Sequence, residues 1–353
     1  MVMAQSLFIT LKKTQPDCQI DVLAPPWSVS LLERMPEVEK AIAMPLSHGQ
    51  FGLVDRIKLG KKLRTESYDQ AIVLPNSWKS ALIPYFANIP VRTGYIGECR
   101  WGLLNDTRKL DKTLLAMTVQ RFVALGLPNT APLPPEYPIP RLVINPNQQN
   151  AVIEKFSLNS IYVKNSNSVG RVSDSVTRQN QDFDVGLRSA NPTYMSSAKI
   201  LALCPGAEYG PAKRWPASYY AEVARHKMAQ GWQVWLFGSD KDKEAAEQIN
   251  KKVSGACIDF TGRTSLAEAV DLMSLVNTVV TNDSGLMHVA AALDKKIIAL
   301  YGSSDPNFTP PLNAQAHVLY LNLDCSPCFK RECPLGHTKC LVDIKPDQVI
   351  DVI

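Results

Sequence analysis

The chain has 353 residues, of which 45% are hydrophobic, and it carries a formal net charge of +5. That length favours two domains that each bury their own core, while the modest and scattered excess of basic residues does not favour a nucleic-acid partner. Residues 1–7 lack a signal-peptide pattern and no apolar run approaches the ~20 residues that span a bilayer, so a cytoplasmic protein without a transmembrane segment is predicted.

Helical and strand patterns alternate along the first half of the chain. Met3, Leu7 and Leu11 follow helical spacing, so the chain is expected to open on a helix. The further elements predicted in this half are helices at 31–35, 52–64 and 78–86 and strands at 20–24 and 71–74. Strands that alternate with helices indicate an α/β fold with a parallel, doubly wound sheet.

Composition divides the chain into four segments. The five prolines between residues 130 and 140 mark the exit from a first domain over residues 1–150. Residues 160–197 are rich in Ser, Asn, Gln and charge and show no periodicity, so a disordered insertion is expected there. A second domain is predicted over residues 199–323. Residues 324–353 are expected to form a cysteine-rich loop and a short last helix.

The segment from residue 279 to residue 292 carries the most chemical information. A β-branched apolar run ends in small polar residues, and an Ala-rich helical pattern follows at once. Asp283 or Ser284 can cap this helix, Gly285 lets a ligand approach the backbone, and the free N–H groups of a helix start attract phosphates. His288 lies about one helical turn after Ser284 and can face the same crevice. The alternative is an ordinary strand–helix turn with no ligand.

Two more predicted strands end in residues that suit an anionic ligand. One strand is followed by a loop with Lys213, a compact cation that suits a diphosphate, whereas Trp215 in the same loop is expected to be a packing anchor. The other strand ends in Gly238 and Ser239. Because ligands bind at the carboxyl ends of the strands in open α/β sheets, these turns predict a single binding edge.

Four cysteines lie close together in the sequence: Cys325, Cys328, Cys333 and Cys340, with His337 between the last two. In the cytoplasm, clustered thiols suggest a metal before disulfides. The spacing is not that of a standard zinc site, however, and two prolines favour a rigid loop. A structural loop is therefore favoured over a metal site, and both interpretations stay open.

Six stretches of the sequence resemble the lipopolysaccharide heptosyltransferases II of glycosyltransferase family 9: residues 74–82, 92–95, 102–106, 205–216, 283–288 and 325–333. The resemblance implies a GT-B architecture, in which two Rossmann-like, doubly wound domains face a cleft and the C-terminal one binds the nucleotide. The implied reaction is an inverting transfer of L-glycero-D-manno-heptose from ADP-heptose to the first heptose of the lipopolysaccharide inner core, with no cofactor or metal required. The implied acceptor lies at the cytoplasmic face of the inner membrane, where the protein can be peripheral.

The same resemblance implies two groups of site residues. The donor-binding positions are Lys213, Gly238, Ser239, Thr264, Asp283, Ser284, Gly285 and His288. Among them Lys213 is the catalytic, diphosphate-contacting lysine and Thr264 flanks the adenine. The positions expected to face the acceptor are Asn76, Ser77, Lys79, Arg92 and Arg100. Lysine and arginine suit the anionic groups of such an acceptor, although a solvated surface charge is the alternative for Arg92 and Arg100.

One part of the family pattern has no counterpart in the sequence. Members are expected to begin with a strand and a turn ending in Gly-Asp, whose aspartate is the general base that takes the proton of the acceptor hydroxyl. Met1 falls immediately after that position. The first strand of the N-terminal domain and the base are therefore expected to be missing, through a misassigned start or a truncation. A catalytically inactive nucleotide-sugar-binding protein is the alternative function.

Overall fold

The computed structural model describes residues 1–46, 49–158 and 199–353. The insertion expected at 160–197 lies outside these residues. Within them, alternating strands and helices build parallel sheets in both halves of the chain, as the α/β prediction requires.

The first half of the chain forms two small parallel sheets. Its helices are α1 (Gln5–Thr14), α2 (Val29–Leu32), α3 (Leu53–Leu63), α4 (Leu82–Phe86), α5 (Thr118–Gly126) and α6 (Pro146–Lys155), and its strands are β1 (Asp21–Ala24), β2 (Lys40–Ala43), β3 (Gln70–Val73), β4 (Val91–Tyr95) and β5 (Asp106–Arg108). Strand β1 pairs with β2, and β3 pairs with β4, which pairs with β5. No described strand bridges β1 and β3, so the single sheet expected from the alternation is divided in two.

Three predicted elements in this half keep their bounds, and two helices differ. Helix α3 and strands β1 and β3 begin and end within one residue of their predicted positions. The helix predicted at 78–86 instead opens as a 3-10 turn over Trp78–Ala81, and the helix predicted at 31–35 occupies Val29–Leu32. Both differences fall in short segments, where a few local hydrogen bonds decide the helix type.

The second half contains one six-stranded sheet. Its strands are β6 (Ile200–Cys204), β7 (Gln233–Leu236), β8 (Ile258–Asp259), β9 (Thr278–Asn282), β10 (Lys296–Tyr301) and β11 (Ala316–Tyr320), and its helices are α7 (Ala217–Ala229), α8 (Lys243–Lys252), α9 (Leu266–Met273), α10 (Gly285–Ala292), α11 (Lys339–Val342) and α12 (Pro346–Ile350). The strand order is β11-β10-β9-β6-β7-β8, and all pairs are parallel.

The centre of this sheet is covered on both faces. Every residue of β6 and β9 is buried, including the polar Thr278, Thr281 and Asn282 of β9, and such burial is typical of parallel strands between helical layers. The side chains of β6 divide between two apolar clusters, with Ala202 in one and Leu203 in the other. The neighbouring positions of β9, β6 and β7 bring three strand-ending turns to one edge of the sheet.

The two halves of the chain are packed against each other. Helix α6 packs on α9, so residue 150, where the first domain is predicted to end, lies inside a helix that contacts the second half. An ion pair also crosses between them, because a guanidinium nitrogen of Arg34 lies 2.7 Å from Asp271 in α9. The predicted domain ranges themselves stay predictions.

Candidate active site

The centre of the candidate site is an ion pair between two neighbouring strand ends. Lys213 lies in the 3-10 turn Pro211–Lys213 after β6, and its Nζ is 2.5 Å from a carboxylate oxygen of Asp283, which follows β9. The Lys213 side chain is 16% exposed and that of Asp283 is 7% exposed. The ammonium also lies 5.2 Å from the ring centre of Tyr209. A cation is therefore fixed at the sheet edge with part of its surface open to solvent.

A buried amide holds the two strand ends together. Asn282, the last residue of β9, donates from Nδ2 to the carbonyl of Pro205 at 2.8 Å and accepts from the N–H of Trp215 at 3.0 Å. Trp215 is buried, and its indole N–H donates to the carbonyl of Ile344 at 2.9 Å, which confirms its prediction as a packing anchor. Asn282 therefore fixes the loop that carries Lys213 from both sides, a role that the sequence analysis did not assign.

The helix that follows Asp283 starts without a side-chain cap. Ser284 is the N-cap residue of α10 but makes no capping bond, and its hydroxyl lies 3.3 Å from that of Thr281. Ser284 thus occupies a predicted N-cap position, but neither Ser284 nor Asp283, which pairs with Lys213, caps the helix with its side chain. Gly285 is exposed and a Cβ at this position would have no atom within 4 Å. The first amides of α10 thus remain available to an anionic ligand.

His288 lies one turn into α10, beside the ion pair. Burial lowers its pKa to about 4, and the nearby Lys213 ammonium acts in the same direction, whereas Asp283 acts in the opposite one. The imidazole is therefore neutral near pH 7, so it offers one N–H donor and one acceptor rather than a positive charge.

The turns after β7 and β8 lie at the same edge of the sheet, next to the turn after β6. Gly238 and Ser239 follow β7, and Ser239 donates from both its backbone N–H and its hydroxyl to Asp242. A Cβ at position 238 would lie 2.9 Å from Cβ of Asp242, so the turn requires glycine for close packing. The N–H of Gly262 donates to the carbonyl of Gly238 at 3.0 Å, which ties this turn to the loop of Thr264.

Two arginines predicted to face the acceptor make their hydrogen bonds within the first domain. Arg100 is buried, donates to the carbonyls of Pro75 and Tyr95, and lies 3.4 Å from Oδ1 of Asn76. Burial lowers the pKa of Arg100. The alternative of a solvated surface charge is wrong for this residue. Arg92 donates to the carbonyls of Leu103 and Ile89, each at 2.6 Å.

The remaining acceptor-side residues lie where the chain leaves β3. Asn76 is exposed and Ser77 and Lys79 are half-buried. Lys79 reaches the carbonyl of Gln50 at 3.4 Å, a long contact that leaves most of its donor capacity open. The predicted acceptor group therefore divides into residues that present polar groups and arginines that hold their backbone.

Comparison with known proteins identifies the family. The sequence model of glycosyltransferase family 9 (heptosyltransferase) matches residues 56–339. Lipopolysaccharide heptosyltransferase 2 of Salmonella typhimurium is 43% identical over 360 residues, which cover 99% of this chain and 93% of that protein. The chain belongs to glycosyltransferase family 9. Lipooligosaccharide heptosyltransferase 2 of Haemophilus influenzae is 42% identical over 99% of this chain and 94% of its own length.

Solved structures give the same result for the fold. The E. coli ADP-heptose lipopolysaccharide heptosyltransferase II has a TM-score of 0.78 and 39% identity, covering 100% of this chain and 93% of that one. A family 9 glycosyltransferase from Veillonella parvula has a TM-score of 0.76 at 20% identity, covering 99% and 92%, and supports the fold alone. The GT-B architecture expected for family 9 is thus confirmed. None of the helices in the described residues has the length and apolar character needed to cross a membrane.

Proposed function

We propose that this family 9 member is an inverting transferase that moves L-glycero-D-manno-heptose from ADP-heptose to the first heptose of the lipopolysaccharide inner core. The observation that carries the proposal is the placement of Lys213 against the turn that opens α10. An ammonium and unoccupied helix amides at one strand edge form the kind of site that binds a diphosphate.

The order of the turns along the sheet matches the order of groups in the donor. Neighbouring strands are about 4.8 Å apart, so the four strand ends from β9 to β8 span roughly 14 Å. Lys213 and Ser284 would contact the diphosphate, Gly238 and Ser239 the ribose, and Thr264 the adenine. The heptose would then extend past His288 toward the first domain. We therefore assign donor binding to residues 199–323.

The chemistry that these residues supply is stabilisation of the leaving group. Negative charge builds on ADP as the bond to the anomeric carbon breaks, and a fixed ammonium together with helix amides stabilises that charge. Neutral His288 can donate a hydrogen bond without adding a competing cation. Asp283 holds the Lys213 ammonium at the sheet edge. Because Asp283 is itself negatively charged, the phosphates would approach from the side on which α10 begins.

The acceptor would bind to the first domain at residues 76–79. Asn76, Ser77 and Lys79 offer polar groups and one cation to an acceptor that carries phosphate and carboxylate groups. Arg100 and Arg92 act behind them, since their hydrogen bonds fix the surrounding backbone. A lipid-linked acceptor also requires the protein to work at the cytoplasmic face of the inner membrane, which we propose it does as a peripheral protein.

The test is transfer of heptose from ADP-heptose to a mono-heptosylated inner-core acceptor, with product analysed by mass spectrometry and anomeric configuration by NMR. The expected result is one added heptose with inverted configuration. ADP binding measured by calorimetry on the same preparation separates two failures. Binding without transfer supports the alternative of an inactive nucleotide-sugar-binding protein, whereas absence of both overturns the site itself.

A further inference from the structure

Four cysteines that the proposed function does not use surround one small cavity. Cys325, Cys328, Cys333 and Cys340 line a space of about 20 Å³, together with His337 and Ser303. That volume has room for roughly one water molecule. All four thiols are free and half-buried, so none is locked in the apolar core.

The loop of Cys333 folds back onto its own sulfur. The backbone amides of residues 335–338, that of Thr338 most of all, lower the pKa of the Cys333 thiol. The N–H of Gly336 donates to the carbonyl of Cys333 at 3.0 Å. Gly336 and Thr338 have positive φ angles of 70° and 45°, so the chain turns sharply just after Cys333. Such a group of amides stabilises a negative charge, and the thiolate is the reactive form of cysteine.

The pKa of the neighbouring Cys340 thiol is shifted in the opposite direction. Burial raises the pKa of Cys340, and the thiols of Cys325, Cys333 and Cys328 raise it further. The cavity therefore brings together a thiol whose pKa is lowered, Cys333, and one whose pKa is raised, Cys340. The side chains do not converge on a metal position as they stand, because no group of three or more His, Cys, Asp or Glu residues in the described chain is arranged to hold an ion.

We propose that these cysteines form an oxidation-sensitive site in which Cys333 is the attacking thiolate and one of Cys325, Cys328 or Cys340 closes a disulfide with it. The oxidant would be hydrogen peroxide. The Cys333 thiolate attacks one peroxide oxygen, the O–O bond breaks, and the leaving hydroxide takes a proton from solvent to depart as water, so that Cys333 becomes a sulfenic acid. A second thiol then attacks that sulfur and the sulfenic hydroxyl leaves as water with the thiol proton, giving the disulfide.

The site is coupled to the loop of Lys213 through backbone contacts. The N–H of Ala212 donates to the carbonyl of Arg331 at 3.0 Å, and the Tyr209 hydroxyl donates to the carbonyl of Phe329 at 2.7 Å. The same cysteine-rich segment is anchored to the end of β10, because the N–H of Phe329 donates to the carbonyl of Ser303 at 2.7 Å. A disulfide that pulls Cys333 inward would therefore displace Arg331 and with it the turn that presents Lys213. This coupling rests on the proposed function.

The first experiment uses the full chain and needs no substitution. Limited alkylation with iodoacetamide at pH 7, followed by peptide mass spectrometry, compares Cys333 with Cys99, which is exposed and lies outside the cluster. Cys333 is expected to react at least about threefold faster, because its pKa is lowered and the thiolate is the reactive form. Faster labelling of Cys99 overturns the assignment of Cys333 as the attacking thiolate.

The second experiment adds hydrogen peroxide and maps the products. A disulfide between Cys333 and one of the other three cavity cysteines is expected, and dithiothreitol should reverse it. C333S should abolish that disulfide, while C99S, the matched control, should leave it intact. Oxidation of Cys333 to sulfinic acid without a disulfide overturns the proposal. So does a stoichiometric metal ion, found by elemental analysis, that protects all four thiols.

The third measurement tests the coupling separately. ADP affinity of the reduced chain is expected to fall several-fold after the disulfide forms and to recover on reduction. If the disulfide forms and ADP affinity is unchanged, the coupling to Lys213 is wrong. If the reduced chain does not bind ADP, the proposed function fails, while the thiol mapping remains a valid test of the oxidation site.

Discussion

The Lys213 ammonium is paired with Asp283 across two strands that lie side by side in the sheet but far apart in the sequence. The pair is largely shielded from water, so its charges interact more strongly than those of a surface pair. In the proposed reaction Lys213 has two anionic partners: Asp283 at all times and the ADP diphosphate when the donor is bound. Its structural and ligand-binding roles can be separated by substitution.

Replacing Lys213 should affect both stability and donor binding. K213A leaves the Asp283 carboxylate without its cation, and we expect the free energy of unfolding to fall by about 1–3 kcal/mol. The double variant K213A/D283N should recover most of that loss, because it removes both charges, yet it should not recover ADP binding. Urea unfolding and calorimetry measure the two effects. K241A is the control, since Lys241 forms an exposed pair with Glu208.

Gly285 permits a test in which the expected changes in stability and in ADP affinity have opposite signs. Alanine at this position meets no atom within 4 Å, and it favours a helix over glycine by up to about 1 kcal/mol. G285A should therefore unfold at the same or a slightly higher urea concentration, while its added methyl group obstructs the diphosphate and lowers ADP affinity several-fold. The comparison is G206A, whose Cβ would lie 2.4 Å from the Asp242 carboxylate and should destabilise the fold. Unchanged ADP affinity in G285A would place the phosphates elsewhere.

The edge that gathers Lys213, Gly238 and Ser284 was predictable from sequence for a simple reason. Each follows a recognisable apolar strand, and parallel strands end at a common edge whatever their order. Strand order was not predictable, because it depends on which strands pair across long stretches of chain. The adjacency of β6 and β9, and hence the pairing of Lys213 with Asp283, required the structure.

Buried polar residues were the main omission. Asn282 looks like an ordinary turn residue in the sequence, yet it is fully buried. Its side-chain amide donates to the carbonyl of Pro205 and accepts from the N–H of Trp215. Arg100 was expected either to face the acceptor or to lie in solvent. It is buried beside three backbone and side-chain oxygens, so it does not lie in solvent, while its role toward the acceptor stays a prediction. Composition and periodicity report which side chains are apolar, but they do not report which carbonyls a folded chain leaves to be satisfied.

His288 should make stability depend on pH. Its pKa is near 6.5 in an unfolded chain and about 4 in the folded protein, mainly because of burial. The unfolded state then binds more protons between these values, so stability falls as the pH is lowered from 6.5 to 4. H288Q should flatten this part of the profile of unfolding free energy against pH. H317Q, at an exposed position of β11, should leave the profile unchanged. An identical slope in H288Q and the parent chain would contradict the lowered pKa of His288.

Arg34 and Asp271 provide the test of how the two halves are held together. Their side chains are 5% and 1% exposed, and burial raises the pKa of Asp271 in spite of the arginine. R34A leaves a buried carboxylate unpaired and should cost about 3–5 kcal/mol of unfolding free energy. The double variant R34M/D271L replaces both charges with apolar groups, so it should be close to the parent in stability. K40A, which breaks the exposed pair with Glu66, should cost less than about 1 kcal/mol. If the double variant is as unstable as R34A, the ion pair itself holds the two halves together. The loss of stability in R34A would then not arise only from the unpaired carboxylate of Asp271.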